Sequence, residues 1–417
     1  MREQAPRSRV PHTLAGNRYV TLLFREFRRA QRPSEHSVTY PYPPLRVPQG
    51  SILEVTLTIN TRKVAFAGLA SAGVLALLAG CGQAPASNGD SKEAASDFLP
   101  CIVSDAGGFD DKSFNQSSYE GMKEAADELG VTMKEVESDT EDDYAPNLTS
   151  LVDQGCNLIA TIGFALADAT AAAAEENPDV NFIMLDDASI DAENVKPIIY
   201  DTAQAAFLAG YAAADYSKTG VVGTFGGMQF PTVTIFMDGF ADGVAYYNEA
   251  KGKNVKVVGW DVAGQTGSFT GGFEANDTAK QLATTLIGQD ADVLLPVGGP
   301  IFLSAIEAIA DSGKEVAMLG VDADLYETAD SGQELFLTSI LKQMKSGVYD
   351  VVVAAGNDEF DASPYVGTLE NDGVGIAPFH DFEGKVNDTL QGELDDIKAG
   401  IIDGSIKVTS PSSPASE

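Results

Sequence analysis

From Phe98 onward the chain alternates between short apolar runs and longer segments in which apolar residues recur every three or four positions. The runs "FLPCIVS", "VTMKEVES", "NLIATIG" and "NFIMLD" read as strands, and the stretches 119–129, 147–154 and 165–176 read as helices. The alternation restarts with a helix at 203–216, then "GVVGTFG", a helix at 233–249, "NVKVVGW", a helix at 275–288, "ADVLLPVG", a helix at 301–311 and "EVAMLGVD". Strands apolar on both faces must be covered on both faces, so the repeat calls for parallel sheets flanked by helices. The expected class is α/β, with two doubly wound parallel-sheet lobes in succession.

In such sheets ligands bind beyond the carboxyl ends of the strands. Those ends here carry Asp105 before two glycines, Asp186 beside Asp187, Gly298 beside Gly299, and Asp322. Each alone reads as an ordinary turn, because Gly and Asp favour turns. Their recurrence in both lobes points to a shared cleft. The densest stretch is "SDAGGFDDKSFNQSSYEG", which sets two phenylalanines in a polar, glycine-rich turn. Within it, Asp110, Asp111 and Lys112 are expected to form the solvated start of a helix, Asp favouring its positive end, and Phe109 to pack beneath the loop.

From Cys81 onward, 57 acidic side chains outnumber 16 basic ones. A body that acidic repels phosphate backbones, which argues against nucleic-acid partners; solubility or a salty habitat accounts for the same excess. His380 is the one histidine after residue 80, and three cysteines in 417 residues fall short of the usual zinc patterns, so neither a metal nor a catalytic residue is assigned. No cofactor is assigned either.

Upstream, Arg62 and Lys63 precede a small and apolar run from Val64 to Ala79, which ends in Leu78-Ala79-Gly80-Cys81. This is the tripartite order of a secretion signal, with an apolar core too short to span a membrane comfortably. Its ending resembles a bacterial lipobox, in which Cys81 would take a diacylglycerol and anchor the protein to the extracytoplasmic face of the cell membrane. A polar linker at 82–97 follows. Residues 1–60 are rich in Arg and Pro without helix or strand period, and are expected to be disordered or to lie upstream of the true start.

Cys101 and Cys156 open the strands "CIVS" and "NLIAT". A 2-1-3 strand order makes these strands parallel neighbours and puts both thiols at one edge of the sheet. Either a disulfide or two buried free thiols fits that placement.

Eight segments then point one way. "SDAGGFDDKSFNQSSYEGM", "TIGFALADA", "QAAFLAGYAAA", "VGTFGGMQFPTV", "TGSFTG", "LGVDAD", "FLTSILKQM" and "LDDIKAGIIDGSIKV" resemble, in order, the basic membrane protein family of ABC-transporter substrate-binding lipoproteins, whose best understood type is the purine nucleoside receptor. The resemblance implies a type I periplasmic-binding-protein fold: two lobes joined by a hinge of crossing strands, closing on the ligand. It implies lobe 1 at 98–200, with 338–380 returning to it, lobe 2 at 201–337, and a C-terminal helix and tail at 381–417. It implies Asp105 on the ribose, Phe114 as a stacking face and Asn115 on the base. Asp186, Asp322 and Lys342 follow as further polar contacts, the latter two on ribose hydroxyls, and Phe269 as the opposite stacking face. The chain departs from the family where "GSFTGGFEANDTAKQLA" replaces a shorter Asp-Pro loop and "GGPIF" replaces "GGTG".

The expected protein is a monomer that binds nucleosides, works with a separate permease and ATPase, and is not an enzyme. Stacking suits a base and carboxylates suit ribose hydroxyls. Rival readings are a nucleoside hydrolase using the aspartates to hold calcium, a binding protein for a simple sugar such as ribose, and a surface signalling or adhesion lipoprotein.

Overall fold

A computed structural model describes residues 98–414, all within one compact unit, Ser87–Glu417. The expectations for 1–60, for the signal and lipobox at 61–81 with Cys81, and for the linker at 82–97 lie outside the described residues. No helix among the described residues is long and apolar enough to cross a membrane.

The first lobe runs β1 (Pro100–Ser104), α1 (Phe114–Leu129), β2 (Lys134–Val136), α2 (Tyr144–Asp153), β3 (Leu158–Ile162), α3 (Ala167–Glu176), β4 (Asn181–Leu185) and β5 (Val195–Tyr200). The second runs α4 (Thr202–Tyr216), β6 (Val221–Gly226), α5 (Pro231–Lys251), β7 (Lys256–Val258), the small hairpin β8 (Trp260–Asp261) and β9 (Thr266–Gly267), α6 (Asp277–Gly288), β10 (Val293–Val297), α7 (Ile301–Ser312), β11 (Ala317–Asp322), α8 (Leu325–Thr328) and β12 (Phe336–Lys342). The chain then gives α9 (Met344–Gly356) and β13 (Tyr365–Gly367) to the first lobe, and β14 (Val374–Ile376) and α10 (Leu390–Ile402) to the second.

The first sheet has the order β13-β5-β4-β3-β1-β2, parallel throughout; the second has β14-β12-β11-β10-β6-β7, with β14 alone antiparallel. The first lobe thus shows the 2-1-3 winding read from the sequence. β1, β3 and β10 are buried at every position, as strands covered on both faces must be. α4 is buried from Ala205 to Ala214 because "AAFLAGYAAA" is small and apolar all round, which suits a helix enclosed on every side.

The return to the first lobe is narrower than the expected 338–380. β12 stays in the second sheet as the parallel neighbour of β11, and β14 pairs with β12, so only α9 and β13 go back. The crossings bond to one another: Asp201 N donates to Gly367 O at 2.8 Å, and Gln343 N to Gly373 O at 3.0 Å. Cys101 and Cys156 are joined in a disulfide with Cα atoms 5.9 Å apart, at the edge of the first sheet away from the carboxyl ends of its strands. Of the two placements open to the thiols, this is the bridged one.

The C-terminal tail runs back over α5. Thr409 N donates to Asp242, Ser410 Oγ to the fully buried Asp238 at 2.7 Å, and Ser413 Oγ to Asp201 at the first crossing at 2.8 Å. Asp238 also accepts from Trp260 Nε1 at 2.8 Å and Gln265 Nε2 at 2.9 Å, so one carboxylate ties helix, hairpin and tail together.

Candidate functional site

The carboxyl ends of strands from both sheets converge on a cleft of about 900 Å³. Of the residues anticipated from the sequence, Asp105, Phe114, Asn115, Asp186, Gly298, Asp322 and Lys342 all line it.

Asp105 follows β1. Its Oδ1 accepts from Asn115 Nδ2 at 2.8 Å and from Gly107 N at 3.1 Å. Burial pushes the carboxyl up to about 6, against the lowering by those two donors. Gly163, at the end of β3, has φ of 111°, and a Cβ there would lie 2.5 Å from Asp105 Oδ2. Glycine is what lets the carboxylate sit between the two strand ends. Tyr144 faces the same group, and burial, with the Asp105 charge adding to it, pushes its hydroxyl up to about 12.

Helix α1 begins at Phe114, five residues earlier than the periodicity indicates, so Phe114 and Asn115 occupy its first turn. The cause is Asp111. Its Oδ1 accepts from Ser113 N and Gln116 N, each at 3.0 Å, and its Oδ2 from Asn115 N at 2.9 Å, which satisfies amides that the first turn of a helix leaves open. The expectation that Asp111 is solvated is therefore corrected: it is buried, and burial pushes its carboxyl up. Asp110 and Lys112 pair at 2.6 Å with Asp110 exposed, as a helix start in solvent does. Phe109 packs on Tyr119 with ring centroids 5.0 Å apart.

Lys342 ends β12 with its side chain only 3% exposed. Its Nζ lies 2.5 Å from Asp186 Oδ2, 3.9 Å from Asp322 Oδ1, and over the Phe114 ring at 4.8 Å from the centroid. Asp186 and Asp322 both hold left-handed backbone, at φ of 65° and 69°, a conformation an Asp adopts at some cost. Burial pushes Asp322 up to about 6; Lys342 lowers it, while Asp186 and Asp111 raise it further. One ammonium thus serves two carboxylates from opposite lobes.

Phe269 is not among the cleft residues. The longer loop after β9 lays itself along the end of β6, with Gly226 N donating to Ser268 O, Thr270 N to Gly226 O and Gly271 N to Gly227 O. That path turns the Phe269 ring edge-on to Trp260, with centroids 5.9 Å apart, behind the wall. Phe273, four residues later, lines the cleft in its place. It packs against Gly298, whose φ is 129° and where a Cβ would meet the ring at 2.6 Å. Phe164 and Phe230 also line the cleft and join the lobes, with centroids 4.3 Å apart. In the sequence Phe164 stands out with Gly163 at a strand end, whereas Phe230 drew no notice, although "MQFPTV" puts it just past one.

A second cavity of about 160 Å³ is lined by Lys342 and Asp186 together with Ser412 and Pro414 of the tail.

Comparison with known proteins gives the family and the fold. The family model described as "ABC transporter substrate-binding protein PnrA-like" matches residues 99–411. The chain is similar to the ABC transporter nucleoside-binding protein BmpA of Lactococcus lactis subsp. cremoris, at 32% identity over 373 residues, covering 84% of this chain and all of that one. It is similar to basic membrane protein A1 of Borrelia garinii subsp. bavariensis, at 30% identity over 221 residues, covering 52% of this chain and 62% of that one. Among solved structures, an ABC transporter solute-binding protein from Aeropyrum pernix K1 superposes with a TM-score of 0.67 at 22% identity, covering 75% of this chain and 94% of that one.

Proposed function

This chain belongs to the PnrA-like family of ABC transporter substrate-binding proteins, and from that premise we propose that it captures nucleosides, purine nucleosides first, in the cleft between its lobes and delivers them to a separate permease and ATPase. The observation that carries the reading is the pairing, in one cleft, of the Phe114 ring with the half-buried carboxylate of Asp105 and the buried one of Asp322. A nucleoside is a flat base joined to a ring of hydroxyls. The ring of Phe114 offers the base a π-face, worth about 1–3 kcal/mol. The carboxylates accept from ribose hydroxyls.

Asn115 adds a polar demand on the ligand. Its Nδ2 is committed to Asp105, and its buried Oδ1 has no hydrogen-bond partner among the described residues. An unpaired buried acceptor favours a ligand that brings a hydrogen-bond donor, which the N–H of a purine and the O–H of a sugar both supply. The Lactococcus relative, by its name, binds nucleosides. The protein acts as a monomer, and Cys81, with the signal before it, would hold the body at the extracytoplasmic face of the membrane by a lipid.

The test is a thermal-shift and calorimetric series with adenosine, guanosine, uridine, adenine and ribose, since a ligand that binds only the folded state raises its melting point. Adenosine and guanosine should bind most tightly. Binding of ribose as tight as adenosine would replace the nucleoside reading with a sugar one. For the anchor, Cys81→Ser should move the protein from the membrane pellet to the soluble fraction.

A further inference from the structure

The turn before α1 reaches the other lobe through Lys112 and Ser113, neither of which lines the cleft. Ser113 Oγ donates toward Asp322 Oδ2 at 3.1 Å and toward Val321 O at 3.2 Å. One residue earlier, the Lys112 carbonyl accepts from Thr328 Oγ1 at 2.7 Å, and Lys112 Nζ lies 3.7 Å from Asp330. The hydrogen-bonded partners stand 208 to 216 residues apart in sequence. Of them, only Asp322 lines the cleft.

Two further features single out this contact. Ser113 is fully buried, so in this conformation water does not stand in for its partners. Lys112, next to Ser113 in the chain, and Asp322, its hydrogen-bond partner, both hold left-handed backbone, at φ of 62° and 69°. Non-glycine residues keep that conformation only where surrounding contacts over-determine it, and such strain gathers at clamps and switches. Here the over-determining contacts come from the opposite lobe.

The geometry points to the Lys112–Ser113 turn as a clasp between the lobes, with Ser113 as a positioning residue that aims the Asp322 carboxylate into the cleft when the lobes are together. The second half of this rests on the cleft being the nucleoside site; the first half does not. Closure and completion of the site then become one event. With the lobes apart, Asp322 loses the hydroxyl that orients it, and the turn carrying Phe114 loses its far support. The clasp acts on how long a ligand stays rather than on how fast it enters, because its bonds form only as the lobes meet.

The test uses Ser113→Ala, Thr328→Val and Thr328→Ser in the mature protein. None removes a cleft-lining side chain. Stopped-flow binding of adenosine should show koff raised about tenfold in Ser113→Ala and severalfold in Thr328→Val, with kon unchanged within about twofold. Thr328→Ser keeps the hydroxyl and should keep the wild-type koff. Small-angle scattering without nucleoside should show a larger radius of gyration for the Ser113→Ala/Thr328→Val pair than for wild type. A merely structural role would lower the melting point and leave koff and radius unchanged, and that result overturns the clasp. If wild type binds no nucleoside at all, the functional reading fails, and the scattering comparison alone decides the clasp.

Discussion

Lys342 and Asp186 meet at 2.5 Å although one ends a strand of the second sheet and the other follows a strand of the first. Both side chains are buried, so removing one leaves the other without its partner in a place water does not reach. Lys342→Met should destabilise the protein by about 3–5 kcal/mol, because it strands Asp186 and Asp322 without a cation. Lys342→Met combined with Asp186→Asn should be less costly than the two single losses added together. Urea unfolding of the three variants measures the coupling, and strict additivity would argue against the pair.

Phe114→Ala should weaken every nucleoside by about 1–3 kcal/mol and leave discrimination among sugars almost unchanged, because a π-face has little chemical preference. Phe114 is only partly buried, so the melting point without nucleoside should fall little. Phe269→Ala provides the contrast. Its ring packs on Trp260 outside the cleft, so it should lower the melting point and leave adenosine affinity intact. Calorimetric titration beside melts of the same samples separates the two.

The carboxyls of Asp105 and Asp322 each lie near 6, above their ordinary value of about 4. The folded state therefore holds those protons more tightly than the unfolded chain. The stability they contribute is complete below about pH 4 and is lost as the pH rises through 6. Binding runs the opposite way, since ribose hydroxyls need the charged acceptors. Affinity should be flat above about pH 7 and fall below pH 6 by up to about tenfold per unit for each carboxylate, with protons released on binding near pH 6. Titration in buffers of different ionisation enthalpy measures that release, and Asp322→Asn should reduce it. Tighter binding at pH 5 than at pH 7 would reverse the assignment.

Asp168 and Glu274 line the cleft along with Asp105, Asp186 and Asp322, against the single ammonium of Lys342. A 5′-phosphate added to the nucleoside should cost about 100-fold or more in affinity, and the penalty should shrink as salt is raised. Adenosine and its monophosphate compared at two ionic strengths test this directly.

Opening the Cys101–Cys156 bridge frees a loop spanning 55 residues, which a chain-entropy argument values at up to about 4 kcal/mol. The bridge sits at the end of the sheet away from the cleft. Cys101→Ser/Cys156→Ser should therefore unfold at lower urea and still bind adenosine with wild-type affinity.

The alternating halves of each lobe were legible because buried parallel strands announce themselves as apolar runs. β5 did not: its "VKPIIY" carries Lys and Pro beside the apolar residues and drew no strand assignment. The site was legible where a residue stands directly at a strand end, as Asp105, Asp186 and Asp322 do. Phe269 was misplaced because a longer loop changes which aromatic reaches the cleft, and residue type alone does not say which. Asp111 passed for a solvated charge beside Asp110 and Lys112, although its spacing to the amides of Ser113, Asn115 and Gln116 is that of a cap. The Ser113–Asp322 contact spans 209 residues and leaves no local trace.

The tail offers an optical handle. Ser412 and Pro414 line a small cavity together with the Lys342–Asp186 pair, and Ser413 bonds to Asp201 at a crossing between the sheets. A solvatochromic dye attached through cysteine at position 412 would sit beside the hinge and outside the main cleft. Its emission would follow the movement of the lobes while leaving the ligand's place untouched, which would make the protein a reagentless sensor whose transducer is its own last turn of chain.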